Sequence, residues 1–217
     1  HLARGLAHEI KNPLGGIRGA AQLLSRALPD AALMEYTRII IEEADRLRDL
    51  VDRMLGSNEP PVLSAVNIHE VLERVLSLIS AEFGDKVDCR RDYDPSMPDV
   101  MGDRGQLLQA VLNIVRNAMQ SLKEHDTPDA VITLRTRIQR RFTIGKYHHR
   151  LVCRVDIIDN GPGIPADIQD TIFYPMISGR ADGTGLGLAI AQSIIAQHRG
   201  LIECDSKSGN TRFSLYL

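Results

Sequence analysis

The sequence predicts a two-part chain: an α-helical hairpin, then an α+β sandwich with helices on one face of a mixed sheet. Three observations predict it. Apolar residues near the N-terminus repeat in steps of three and four, the mark of a helical seam. A polar, proline-bearing stretch, "GSNEPPVLS" at Gly56 to Ser64, separates that region from the rest. Beyond it, runs of alternating apolar residues take turns with helical periods. At 217 residues the chain is long enough for one or two domains.

The elements follow in order. In the first helix Leu6, Ile10, Ile17, Ala21 and Leu24 keep an apolar stripe, and Pro29-Asp30 marks the turn. In the second, Leu33, Thr37, Ile40, Ala44, Leu47, Val51 and Met54 form a heptad seam, with Arg and Glu on the other faces. Two such helices cannot bury both stripes alone. A second copy completing a four-helix bundle is expected, and a monomeric hairpin packed on the rest of the chain is the alternative. After the linker, Ile68 to Ser80 reads as an amphipathic helix, Val87 to Tyr93 as a strand and Gln106 to Lys123 as a strong helix. Ala130 to Arg141 and His148 to Ile158 alternate like paired strands, with Gly145 near their turn. Leu186 to His198 is a further helix, and Leu201 to Ser206 and Arg212 to Leu217 close the chain as strands. The expected boundaries are 1–56 for the hairpin, 57–64 for the linker and 65–217 for the second domain.

Composition excludes several classes. Charged residues make up 25% and hydrophobic residues 43%, ordinary for a globular protein. A net charge of −2 gives no broad nucleic-acid surface, so no direct nucleic-acid partner is expected. No apolar run approaches ~20 residues and no signal peptide is present, so neither membrane insertion nor secretion is expected. Cys89, Cys153 and Cys204 lie far apart without a CxxC pair and read as reduced thiols of a cytoplasmic protein. The chain starts at His1 already inside a helical pattern, which reads as a piece whose N-terminal part is missing.

Four stretches carry chemistry. "GTGLGL", Gly183 to Leu188, places glycines where a loop meets a helix start; bare backbone N–H groups and the helix dipole there favour a phosphate chain. No GK[ST] follows and no β-α-β unit surrounds it, so it is neither a Walker loop nor a dinucleotide fingerprint, and a flexible turn explains the glycines equally well. "DNGPGIP", Asp159 to Pro165, ends an apolar strand with a carboxylate able to accept a hydrogen bond from an exocyclic amine. Gly161 and Gly163 would let backbone turn closely around a flat base, and a plain strand-ending turn is the alternative. In "NIVRNA" Asn113 and Asn117 are four apart and share one helix face, where an amide oxygen suits Mg²⁺ already held by phosphates. In "HEIKNP" His8, Glu9 and Asn12 precede the helix-breaking Pro13. HE begins the zinc-protease pattern HExxH, but its fifth position here is Asn12, so the metal pair is missing. Taken singly, His8 reads as an exposed helix histidine.

In this order the four stretches resemble the H-box, N-box and two glycine boxes of the sensor histidine kinases of two-component systems. "TRFSLYL" looks like that family's last strand, and the likeness covers essentially the whole chain. "GLAHEIKNPLGGIRGAAQLL" and "FYPMISGRADGTGLGLAI" look in particular like the nitrogen-regulation kinases. The resemblance implies a dimerising phosphotransfer hairpin followed by a Bergerat-type α/β sandwich that binds ATP with Mg²⁺. It implies that Asp159 contacts adenine, that Asn117 coordinates the metal with Asn113 close by, and that Gly161, Gly163, Gly185 and Gly187 shape the pocket. Phe173 to Thr184 would be a lid over the nucleotide, running into Leu186, with Arg180 reaching for the phosphates. Many relatives carry two aromatics before the lid; here Phe173 is present and Met176 stands where the second is often found.

The resemblance makes His8 the phosphoacceptor. A histidine nucleophile must be neutral at the attacking nitrogen, and an unperturbed value near ~6.5 leaves it mostly so at neutral pH. Glu9 can accept the proton from the other ring nitrogen. Asn12, on the same face, is implied to orient a water that hydrolyses the phosphorylated partner. Pro13 removes the helical partner of the Glu9 carbonyl and allows a bend that would shift His8 between kinase and phosphatase states. Leu14, Ile17 and Arg18 are candidate docking contacts. The implied partners are a second copy through residues 1–56, the receiver domain of an NtrC-like response regulator and a PII signal protein. A kinase-inactive module that uses nucleotide to hold a conformation, or a phosphatase acting on the regulator, is the alternative function.

Overall fold

The computed structural model describes the backbone of residues 2–27, 31–54, 60–84, 86–177 and 185–217, and the side chains of these except 2–11, 31–32 and 48–54. It divides into two compact units, His1–Asn58 and Glu59–Leu217.

The first unit is a helical hairpin of α1 (Leu2–Ala27) and α2 (Ala31–Met54). Helix α1 runs without interruption through Pro13. The turn expected at Pro29-Asp30 lies outside the described residues. Arg18 Nε meets Asp45 Oδ1 at 2.8 Å, tying the two helices together. That pair places Arg18 in the hairpin's own packing, where the sequence suggested a docking contact. The heptad seam is split. Thr37 and Ala44 are buried, with Ala21 of α1, while Leu33, Ile40 and Leu47 stay 42–46% exposed.

The second unit opens with β1 (Ser64–Val66), which begins at the last residue of the expected linker. There follow α3 (Ile68–Phe83), β2 (Asp88–Asp92), β3 (Val100–Gly102), α4 (Arg104–Glu124), β4 (Val131–Ile144), β5 (Tyr147–Asp159), α5 (Gly187–Gln197), β6 (Leu201–Lys207) and β7 (Asn210–Tyr216). Asn67 starts α3 because its side chain accepts the His69 N–H, and Asp103 starts α4 by accepting the Gln106 N–H. The main sheet has the order β2-β4-β5-β7-β6, with β2 parallel to β4 and the other pairs antiparallel; β1 and β3 form a separate two-stranded sheet.

One sheet face carries Ile132, Leu134, Val155, Ile157, Phe213 and Leu215, all buried together with the inner sides of α3, α4 and α5. The other face is a ladder of ion pairs. Arg135 and Arg137 both bond Asp92, Arg154 bonds Asp156, Arg212 bonds Asp205 and Arg90 bonds Asp88, at 2.6–2.8 Å. Arg135 and Arg137 are therefore cross-strand partners of Asp92. The Arg137 guanidinium, with Arg135 beside it, holds the Asp92 carboxyl below the usual carboxylate range. No described helix is long and apolar enough to cross a membrane.

Candidate functional site

Helix α4 is the spine of the site. Its apolar residues face the sheet, and Asn113 and Asn117 lie one turn apart on a half-buried side. Asn113 Nδ2 is sealed from solvent and has no hydrogen-bond partner among the described residues. Such an orphan donor costs about 1–3 kcal/mol, so a native structure keeps one where another acceptor is meant to reach it.

Beside Asn113 stands the start of α5. A side chain at Gly187 would put its Cβ 3.9 Å from Asn113 Cβ, so the helix begins against that amide. The residue ahead of it is Leu186, which is buried and supplies no side-chain cap. Leu186 therefore offers no side-chain acceptor to the first N–H groups of α5, and the positive end of the helix dipole there can attract an anion. Gly185 has φ +63°, and a Cβ there would come 2.7 Å from the Met176 carbonyl carbon. Its own carbonyl accepts the Met176 N–H at 3.2 Å, so an early residue of the expected lid is joined to the chain that follows it. Arg180 and Thr184 lie outside the described residues. Phe173 is seated edge-on against Phe213 at 6.3 Å, whereas Met176 is exposed with φ +67°.

The other end of the site is built on β5. Asp159 closes that strand and is buried, and its Oδ1 accepts the Gly161 N–H at 2.9 Å. A Cβ on Gly161 would sit 2.8 Å from the same oxygen and 3.5 Å from Leu122 of α4, which is why glycine stands there. Gly163, with φ +89°, presses on the backbone of Lys207 and Ser208, where a Cβ would meet carbonyl carbon at 2.9 Å. From Leu122 back to Asn113 is nine residues, about 13 Å of helix, a span that suits an extended nucleotide with its base by Asp159 and its phosphates by α5.

Several residues of this frame escaped the sequence reading. Asn160 accepts the Val131 N–H at 2.8 Å and donates to the Asp129 carbonyl at 3.0 Å, binding the loop after α4 to the glycine loop. Ser206 accepts the Ile164 N–H and pairs with Thr211, each at 2.9 Å. Gln169 Nε2 donates to the Ile164 carbonyl at 2.8 Å. Only Asn160 carried a signal, as a turn-favouring residue inside its motif. A cleft of about 1120 Å³ between α3, β2 and the end of α4 contains none of the site residues. It is lined by charged side chains such as Lys86 and Arg90, and it is not where the chemistry gathers. His8 and Glu9 lie on α1 with their side chains outside the described residues, and Asn12 is exposed on the same helix.

Comparison with known proteins agrees with this layout. Residues 102–217 match the family of histidine kinase-, DNA gyrase B- and HSP90-like ATPases, and residues 1–58 match the His Kinase A (phospho-acceptor) domain. The chain is 59% identical over 216 residues to the sensory histidine kinase/phosphatase NtrB of Klebsiella oxytoca, covering all of this chain and 61% of that protein. The chain thus spans about three fifths of that relative's length. Among solved structures it is similar to full-length ShkA in complex with AMPPNP, with TM-score 0.64, 25% identity and coverage of 99% of this chain and 45% of that one. It is also similar to histidine kinase ThkA in complex with the response regulator TrrA, with TM-score 0.60, 26% identity and coverage of 100% and 60%. With a phospho-acceptor domain ahead of an ATPase domain, the chain belongs to the histidine kinases.

Proposed function

We propose that this chain is the transmitter part of a nitrogen-regulation histidine kinase similar to NtrB. It would phosphorylate itself on His8 with ATP, pass the group to an aspartate of an NtrC-like response regulator, and promote hydrolysis of the phosphorylated regulator. The observation that carries the reading is the α5 start, which Leu186 does not cap, beside a buried Asn113 amide that has no partner among the described residues, one nucleotide length from the buried Asp159.

The residues take the following roles. Asp159 accepts a hydrogen bond from the adenine amine, which selects the base, while Gly161 and Gly163 keep the loop close to the ring. The N–H groups of α5 from Gly187 onward and the Asn113 amide hold phosphate oxygens. The Asn117 carbonyl oxygen would hold Mg²⁺ together with the phosphates; bound there, the cation neutralises phosphate charge. Thr184, Gly185 and Leu186 bring the lid to the phosphates, with Arg180 on the lid.

His8 attacks the γ-phosphorus as the bond to the ADP oxygen breaks, the electron pair leaves on ADP, and the ring proton passes to Glu9. In the reverse duty Asn12 orients the water that attacks the regulator's phosphoaspartate. The proposed parts are the phosphotransfer hairpin at 1–56, the linker at 57–64 and the ATP-binding domain at 65–217. The exposed Leu33, Ile40 and Leu47 support a homodimer through the hairpin, completing a four-helix bundle. A PII signal protein is the proposed regulator, and a cytoplasmic setting is proposed from the wide sequence spacing of the three cysteines, which form no CxxC pair.

The test is incubation with γ-labelled ATP and Mg²⁺ beside a His8→Gln variant. Acid-labile, base-stable label on the parent alone is expected. ATP binding without label on the parent would replace this reading with that of a nucleotide-gated module or a phosphatase.

A further inference from the structure

Helices α4 and α5 lie side by side and meet at both ends, in opposite directions. At one end Gly187 faces Asn113. At the other, His198, the residue after α5, reaches the start of α4: its Nε2 accepts the Asp103 N–H at 2.9 Å. Its Nδ1 lies 2.8 Å from the Ile194 carbonyl. A backbone N–H can only donate, so Nε2 is the bare nitrogen and Nδ1 carries the proton toward Ile194. Both ring nitrogens are used and the ring is fixed in one tautomer. Gly102 makes room for it, since a Cβ there would fall 3.2 Å from His198 Cδ2 and 2.6 Å from Leu107 Cδ1.

Asp103 is itself a junction. Its Oδ1 accepts the Gln106 N–H at 3.0 Å and its Oδ2 accepts the Val62 N–H at 3.1 Å. Between the two ends the helices are apolar, with Ile190 and Ile194 on α5 and Leu107, Val111 and Ile114 on α4 all buried. Apolar packing is non-directional and tolerates a small axial slide, whereas a hydrogen bond loses strength steeply with distance and angle.

We infer that His198 is a positioning residue for the nucleotide: its bond to Asp103 sets the register of α5 along α4 and so holds the uncapped start of α5 at Asn113. Asp103 and Asn113 are ten residues apart, about 15 Å along a rigid helix, so His198 acts without touching the ligand. The inference rests on the reading that Asn113, Asn117 and the α5 start bind ATP.

Two substitutions separate positioning from bulk. In His198→Gln the carboxamide oxygen reaches the place of Nε2 and can still accept from Asp103; in His198→Asn it reaches only the place of Nδ1. The measurements are Mg²⁺-ADP affinity by calorimetry, KM and kcat for ATP in autophosphorylation, and the melting temperature. His198→Asn is expected to raise KM for ATP and the dissociation constant for ADP about tenfold, the worth of one hydrogen bond, with kcat nearly unchanged and His198→Gln close to the parent. Gly102→Ala, which crowds the ring, is expected to shift KM in the same direction. Equal affinities for the parent and the Asn variant overturn the inference, and so does a loss common to the Gln and Asn variants that follows their melting temperatures. Asn117→Ala serves as the control: if it leaves ADP affinity unchanged, the nucleotide reading itself has failed, and the strut falls with it.

Discussion

Asp159→Asn keeps the shape of the side chain and removes its charge. The Gly161 N–H keeps an oxygen to bond, so the loop should hold its form. An adenine amine, however, loses a charged acceptor worth about 1.5–3 kcal/mol, which is roughly a ten- to hundredfold loss of affinity. Calorimetry with ADP should show that loss with little change in melting temperature; unaltered affinity would remove Asp159 from the base pocket. The cysteines give a second check. Burial pushes the Cys153 thiol up to about 12 and, with the carboxylates of Asp205 and Asp159 adding to it, the Cys204 thiol to about 12. At pH 8 only about one such thiol in ten thousand is ionised, so both should resist iodoacetamide until the protein is unfolded. Rapid labelling of Cys153 in the native protein would contradict its burial. At this scale the sequence marked Asp159, Asn113 and Asn117 because their motifs are local. It could not mark His198, Ser206 or Thr211. The bond between Asp103 and His198 spans 95 positions and exists only after α4 and α5 have paired.

Among the elements, α1 shows how much a sequence signal can overstate. Pro13 reads as a breaker, yet the helix continues through it, at the cost of one ladder bond that a proline cannot make. Pro13→Ala should stabilise the hairpin by up to ~3 kcal/mol and change the ratio of autophosphorylation to regulator dephosphorylation. A stabilised hairpin with the ratio unmoved would mean the proline has no part in switching. Long elements were legible from period alone, whereas β1 and β3 were not. Each has three residues, too few to show alternation, and each pairs with a strand 34–38 positions away. The β4 strand reads as ending at Arg141 but runs on to Ile144, because Arg141 adopts φ +55° and the pairing resumes at Phe142. The outer ion pairs carry a pH signature. Asp92 is held low by Arg137 and Arg135, and Glu73 by the Arg91 hydrogen bonds together with that from Tyr93. A carboxyl depressed in the folded state contributes stability above its unfolded value and loses it as pH falls through the folded one. The melting temperature should therefore be level near neutrality and drop below about pH 4, and Arg137→Gln should soften that drop.

For the whole molecule, the proposed homodimer makes a quantitative demand. Leu33, Ile40 and Leu47 remain exposed within one hairpin, while Thr37 and Ala44 between them are already used. A charge at Ile40 should therefore break association without unfolding the second unit. Sedimentation of Ile40→Lys is expected to give a monomer that still binds ADP; a dimer would show that the hairpin joins copies by another face. The sequence foretold this division of labour because the heptad repeat is long and regular. It could not foretell which half of the seam a single copy would bury, since that depends on how α1 lies against α2.

The ladder of arginines and carboxylates on the outer sheet face has a consequence of its own. That face needs no cover, so the second unit can cohere by itself, whereas in the proposed dimer the hairpin would owe part of its cohesion to the second copy. The two units then answer differently to mass action: lowering the protein concentration should melt the hairpin at progressively lower temperatures and leave the melting of the sandwich where it was. If the proposed dimer forms, dilution becomes a reagent that acts on the hairpin alone.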